Sequence, residues 1–186
     1  IDNILGARKA VEHLLNLGHK RIGFITGPQD ALDAEERLIG YRQALEQTQL
    51  PFESALVFSG DFTPSSGERA VEQIMQFEPA MRPTAIFAAN DQMAVGVVKA
   101  VKEAGYEVPR DIAVIGIGDI PTATYVDPEL TTVALPLKDM GKEAAALLLS
   151  FVRGDAPERS RIILDVQLIP RASTRAVKEA IYVDKE

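Results

Sequence analysis

Residues 83–117 read PTAIFAANDQMAVGVVKAVKEAGYEVPRDIAVIGI, and their pattern decides the fold class. PTAIFAA, over 83–89, is a compact apolar run. Met93, Val97, Ala100, Val101 and Ala104 then recur at helical spacing, and Gly105 closes the helix. DIAVIGI, over 111–117, is a second apolar run. Short strands that are apolar throughout, rather than alternating, are those buried on both faces, so this strand–helix–strand unit predicts a parallel sheet covered by helices. Right-handed crossovers follow from the same geometry.

The rhythm extends upstream. Ala7, Val11, Leu14 and Leu15 mark a helix stopped by Gly18, and RIGFIT over 21–26 is a strand broken by Gly27-Pro28. Leu38, Tyr41 and Leu45 mark a second helix, ALVFS over 55–59 a second strand, and Ala70, Ile74 and Phe77 a third helix. After Asp119 the rhythm changes. LTTVAL over 130–135 is strand-like with no helix before it, and Met140, Ala144, Leu147, Leu148 and Phe151 form an amphipathic helix ending at Gly154. Ile162, Leu164, Val166 and Leu168 alternate along one face of a run expected to leave the first sheet. The fold class is α/β, a Rossmann-like parallel sheet with helices on both faces.

Composition bounds the function. The 186 residues are 46% hydrophobic and 25% charged, an ordinary globular balance. There is no cysteine, so disulfides and thiolate metal sites are excluded. With a net charge of -7 the chain lacks the basic face that neutralises DNA phosphates. No apolar run approaches the roughly 18 residues of a membrane span.

In an open parallel sheet, ligands sit beyond the carboxyl ends of the strands. The loops there cover residues 27–37, 60–67, 90–91 and 116–121, and their polar and aromatic side chains are Asp33, Arg37, Asp61, Phe62, Asn90, Asp91 and Asp119. One guanidinium, one ring, one amide and several carboxylates suit a ligand rich in hydroxyls or amides. Each residue has a plainer reading as well: Asn90 or Asp91 as a helix N-cap, Arg37 as an ion-paired helix residue, Phe62 as core. Enzyme signatures are missing. His13 and His19 have no metal-ligand spacing, there is no Gly-x-Ser-x-Gly elbow or phosphate-binding GxxxxGK[ST], and GIGDIP lacks the third glycine of a dinucleotide fingerprint. No cofactor, metal or catalytic group is expected.

Seven segments, LGHKRIGFITGP, RLIGYRQAL, GDFTPSSG, RPTAIFAANDQMAVGVVKAV, VPRDIAVIGIGDIP, PELTTV and MGKEAAALLL, resemble in order and spacing the effector-binding core of the lactose/galactose-repressor (LacI/GalR) family. The resemblance covers roughly residues 2–175. It implies a periplasmic-binding-protein-like core of two Rossmann-like lobes hinged around a small-molecule effector: a sugar, a nucleobase or a related metabolite. On that pattern 3–135 form the C-terminal lobe, 136–166 return to the N-terminal lobe, 167–175 are a return strand and 176–186 a tail. The DNA-binding headpiece and the first part of the N-terminal lobe are then expected to lie outside the chain. A cytoplasmic, non-catalytic homodimer that reaches operator DNA through that headpiece is the implied parent. A sugar-transport receptor of the same fold is the alternative, and VPRDIAVIG favours the regulator.

Carried over residue by residue, the resemblance makes Arg37 and Asn90 effector contacts, Phe62 the stacking aromatic and Asp33 a loop contact. The family's usual VIGFDD places its first acid where this sequence has Gly118, leaving Asp119. The glutamine common after LTTV is Leu135 here. The departure implies an effector with fewer hydroxyls to satisfy, or a bulkier one, than the family usually binds. Dimerisation through the helix after AND implicates Val95, Val98 and Lys99.

Overall fold

A computed structural model describes residues 1–154 and 161–177. Six strands form one sheet in the order β2-β1-β3-β4-β5-β6. The strands are β1 (Ile22–Ile25), β2 (Val57–Phe58), β3 (Ala85–Ala88), β4 (Ala113–Gly118), β5 (Thr131–Ala134) and β6 (Gln167–Ile169). The first five are parallel and β6 runs antiparallel to β5. The helices are α1 (Asn3–Asn16), α2 (Leu32–Gln47), α3 (Pro64–Met75), α4 (Asp91–Glu103) and α5 (Leu137–Arg153).

Every residue of β1, β3 and β4 is buried, as the unbroken apolar runs predict. α1 packs on α2 and α3 on α4, while β4 is touched by both α1 and α4. Gly40 lets α2 approach α1, since a Cβ there would overlap the Ile4 carbonyl; Gly96 does the same for α4 against Pro64. Phe24 lies at the centre, stacked on Phe87 at 4.8 Å and on Tyr41 at 5.2 Å. The Tyr41 hydroxyl donates to the Ile22 carbonyl at 2.9 Å, so its one polar atom is satisfied inside the core.

The C-terminal part has less strand than expected. Of the alternating run only Gln167–Ile169, inside the expected return strand 167–175, is strand, and it pairs with β5, Thr132 opposite Ile169. Residues 171–177 then run past the amino ends of β4 and β5 as a clasp rather than as further strand. The buried Ser173 hydroxyl donates to the Val114 carbonyl at 2.6 Å and accepts from the Thr131 amide at 2.8 Å. His13 meets the Thr174 hydroxyl at 2.9 Å, and His19 meets the Arg175 carbonyl at 3.0 Å and the Thr84 hydroxyl at 2.9 Å. The expected charged tail lies, from residue 178 on, outside the described residues.

α5 stands apart: none of its residues is buried, and Leu148, Phe151 and Val152 are 64%, 62% and 76% exposed. An amphipathic helix with its apolar stripe uncovered lacks the surface it was patterned to meet.

Removing the Ser173 hydroxyl leaves a buried amide and carbonyl unpaired, so Ser173→Ala is expected to lower stability by about 1–3 kcal/mol in urea denaturation. Burial lowers the pKa of both His13 and His19. The unfolded chain therefore takes up protons first as pH falls. Stability should be full above the usual histidine value of about 6.5 and decline below it, with a shallower decline in His19→Gln.

Candidate functional site

The chain runs from β1 outward to β2 and returns across to β3, so the strand order reverses between β1 and β3. In doubly wound sheets the crevice beyond the carboxyl ends of the strands at that switch is where ligands bind. Arg37 sits there, on α2, and is only 5% exposed. Its Nε and Nη2 donate to Asn3 Oδ1 at 3.2 and 3.0 Å, Nη1 to the Ala89 carbonyl at 2.7 Å, and Nη2 pairs with Asp33 Oδ2 at 3.1 Å. Burial works against the Arg37 charge, while Asp33, Glu36 and Asp91 support it. Three of the five guanidinium N–H groups are thereby hydrogen-bonded within the lobe, Nη2 is also ion-paired with Asp33, and the second N–H on Nη1 has no partner among the described residues.

The ring of Phe62 lies over Gly27, where any side chain would overlap it, and 5.8 Å from the Arg37 guanidinium carbon. Phe62 itself has a φ of 65°, unusual for a bulky residue. The loop is held in that shape by Asp61, whose carboxylate accepts from the Thr63 amide at 3.0 Å and from Arg69 at 2.9 Å. Hydrogen bonds from Thr63 are the largest cause holding the Asp61 carboxyl well below the usual carboxylate range. Phe62 is thus half-buried against the loop after β1 rather than absorbed in the core.

Asn90 is the N-cap of α4: its Oδ1 accepts from the Met93 amide at 2.9 Å, and its Nδ2 donates to the Phe62 carbonyl at 3.0 Å. The amide therefore ties the aromatic loop to β3 and α4, and of the two readings left open by the sequence, the cap is present. Asp91 is fully buried, accepting from Thr132 Oγ1 at 2.6 Å and from the Ile120 amide at 3.0 Å. Burial is the dominant influence on its carboxyl and raises the pKa.

Gly118 ends β4 with a φ of 145° and the Asp91 carboxylate directly behind it. Asp119, the acid expected to remain for the effector, gives Oδ1 to Arg171 at 2.6 Å. Arg171 also donates to the Leu130 carbonyl at 2.8 Å. On α4, Val95 is partly exposed and Lys99 is exposed and paired with Glu68 at 2.8 Å. Val98 corrects the expectation: at 1% exposure it belongs to the lobe's own core and offers no face to a partner. Asn3 and Arg171 were not among the sequence candidates. Their contacts join residues 34 and 52 positions apart, and no local motif marks them.

The fold and site define an α/β lobe with a crevice at the switch point of its sheet. The family described as periplasmic binding protein-like domain matches residues 11–174. The chain is 39% identical to the HTH-type transcriptional regulator CelR of Thermobifida fusca over 173 residues, 93% of this chain and 50% of that protein. It is similar in structure to a transcriptional regulator CelR–cellobiose complex (TM-score 0.88, 38% identity, 94% of this chain and 53% of that one). It is also similar to a dimeric Lac repressor (TM-score 0.87, 32% identity, 95% and 64%). The chain belongs to the LacI/GalR family, through its periplasmic-binding-protein-like effector-binding core. It spans about half the length of the curated relatives it matches. These relatives are transcriptional regulators, so the transport-receptor alternative is not carried forward. Among the described residues no helix is long and apolar enough to cross a membrane.

A Cβ at Gly118 would lie 3.1 Å from Asp91 Oδ2 on a backbone that side chains rarely adopt. Gly118→Ala is therefore expected to cost about 1–3 kcal/mol from strain. Gly118→Asp should cost more at neutral pH, because it places a second carboxylate against a buried one. The difference between the two variants, measured by chemical denaturation, should shrink as pH falls toward 4, the ordinary carboxylate range of about 4.

Proposed function

We propose that this chain is the effector-sensing lobe of a LacI/GalR-type transcriptional regulator and performs no catalysis. The observation that carries the reading is Arg37, buried at the switch point with its second Nη1 N–H unpartnered among the described residues, beside the half-buried Phe62 ring. Asp33 and Asn90 complete that wall, and Gly118 and Asp119 form the floor. The effector is a small metabolite of sugar or nucleobase type. The carboxylates that could grip its hydroxyls are already partnered: Asp119 by Arg171, Asp33 by Arg37, Asp91 by Thr132 and Ile120. That supports an effector that is less hydroxyl-rich, or bulkier, than the family usually takes.

The uncovered stripe of α5 supports placing residues 136–166 against an N-terminal lobe, whose remainder belongs to sequence outside this chain. Residues 3–135 form the C-terminal lobe, and 167–175 return to close its sheet. The parent acts in the cytoplasm as a homodimer, with Val95 and Lys99 on its dimer face, and meets operator DNA through a headpiece. Effector occupancy then shifts the relative orientation of the lobes and the population of DNA-binding-competent dimers.

Isothermal titration of the full-length protein against cellobiose, other oligosaccharides and nucleosides is expected to find one saturable effector per chain and no turnover. Arg37→Met should weaken that effector by roughly tenfold or more, about 1.4 kcal/mol per factor of ten. Chemical conversion of the ligand, or an affinity indifferent to Arg37→Met, would overturn the reading.

A further inference from the structure

Asn3 stands in the first turn of α1 and reads two successive residues of α2 at once. Its Oδ1 accepts both Nε and Nη2 of Arg37, at 3.2 and 3.0 Å, and its Nδ2 donates to Glu36 Oε2 at 2.7 Å. The carbonyl faces a cation and the amino group an anion, an assignment that only an amide satisfies in this orientation. α1 and α2 are held at the needed separation by the close approach at Gly40.

We infer that Asn3 is the positioning residue of the effector site: it fixes the guanidinium plane of Arg37 and so selects which N–H faces the cleft. The inference rests on the reading that Arg37 meets the effector. Ala89 and Asp33 alone do not fix the plane. Asp33 is on a half-exposed side chain and can swing into solvent, and a single carbonyl bond to Nη1 lets the guanidinium rock about it. Asn3 grips the Nε–Nη2 edge, which stops that rocking. An aspartate at position 3 would keep the acceptor for Arg37 but set two carboxylates 2.7 Å apart, against Glu36. A carboxylate at 3 with an amide at 36 would reproduce the arrangement with the two groups exchanged.

The test follows the Arg37 Nε–Hε resonance by nitrogen-15 NMR of the full-length protein labelled at arginine. Arg21 and Arg82 serve as internal controls, since their Nε atoms donate to the Met81 and Phe77 carbonyls. In Asn3→Leu, and in Asn3→Ser as a second variant should the first fail to fold, the Arg37 proton should exchange with water roughly tenfold faster or more while both controls are unchanged. The paired exchange Asn3→Asp with Glu36→Gln should restore slow exchange, and Asn3→Asp alone should be less stable than the pair. An Arg37 signal unchanged in Asn3→Leu or Asn3→Ser with intact controls would overturn the assignment. So would a failure of the paired exchange to protect it in a folded protein. No effector enters this measurement, so a full-length protein that binds no effector, yet protects its Arg37 proton and loses that protection in Asn3→Leu, would sink the proposed function and leave the positioning role standing.

Discussion

A guanidinium held at 5% exposure is the constraint around which this lobe is arranged. Burying a charge is costly unless it is paired and its donors are met. Here the partners come from α1 (Asn3), α2 (Asp33) and the end of β3 (Ala89), elements from both sides of the switch point. Satisfying Arg37 therefore requires the α1–α2 pair to seat correctly on the sheet. Asn90 extends the arrangement, since one amide caps α4 and holds the Phe62 loop. The arrangement of Arg37, Phe62 and Asn90 thus rests on hydrogen bonds within the lobe itself.

The floor depends on a second buried charge. Asp91 lies behind Gly116 and Gly118, and any side chain at Gly116 would overlap it. Its carboxylate takes hydrogen bonds from Thr132 on β5 and from the amide of Ile120, and so fixes the turn in which Gly118 and Asp119 have positive φ. Gly118 is accordingly more than a lost acid. The glycine accommodates Asp91, and Asp91 shapes the turn that sends Asp119 toward Arg171. Changing the glycine disturbs all three, which is why the departure from the family pattern is a property of the floor as a whole.

Much of this was legible in the sequence, because it depends on local pattern. Five helices and the four strands of the parallel rhythm are present where periodicity indicates them, although α2 starts at Leu32 and α3 at Pro64, inside segments read as the loops 27–37 and 60–67, and Phe77 lies beyond α3. Phe62 lies beside Arg37 and is tied to Asn90 at the switch point. Strand ends were read a residue or two long, as in RIGFIT, where the ladder spans only Ile22–Ile25. What escaped the reading is non-local. Asn3 reaches Arg37 only through the α1–α2 packing, and Arg171 and Ser173 act on strands far upstream in sequence. Val98 was misplaced for a related reason: α4 is covered by α3 as well as by the sheet, so more of its circumference is core than a one-sided amphipathic pattern suggests.

On the proposed reading, the exposed stripe of α5 and a one-sided cleft share one physical cause. Small-molecule sites bury about 70–90% of a drug-sized ligand's surface. A single wall built from Arg37, Phe62 and Asn90 over a glycine floor cannot enclose a ligand to that extent. α5 leaves the sheet immediately after β5 and β6 returns to pair with β5, so both ends of the excursion are anchored beside the cleft floor. On the proposed reading, whatever covers Leu148, Phe151 and Val152 is the body that supplies the opposite wall. On that reading the body joins the lobe where β5 and β6 carry the chain out and back. The Arg37 partners lie on α1, α2 and the end of β3 and involve neither strand, while Asp91 reaches β5 through Thr132, so on the same reading a change of lobe orientation can leave the Arg37 wall fixed.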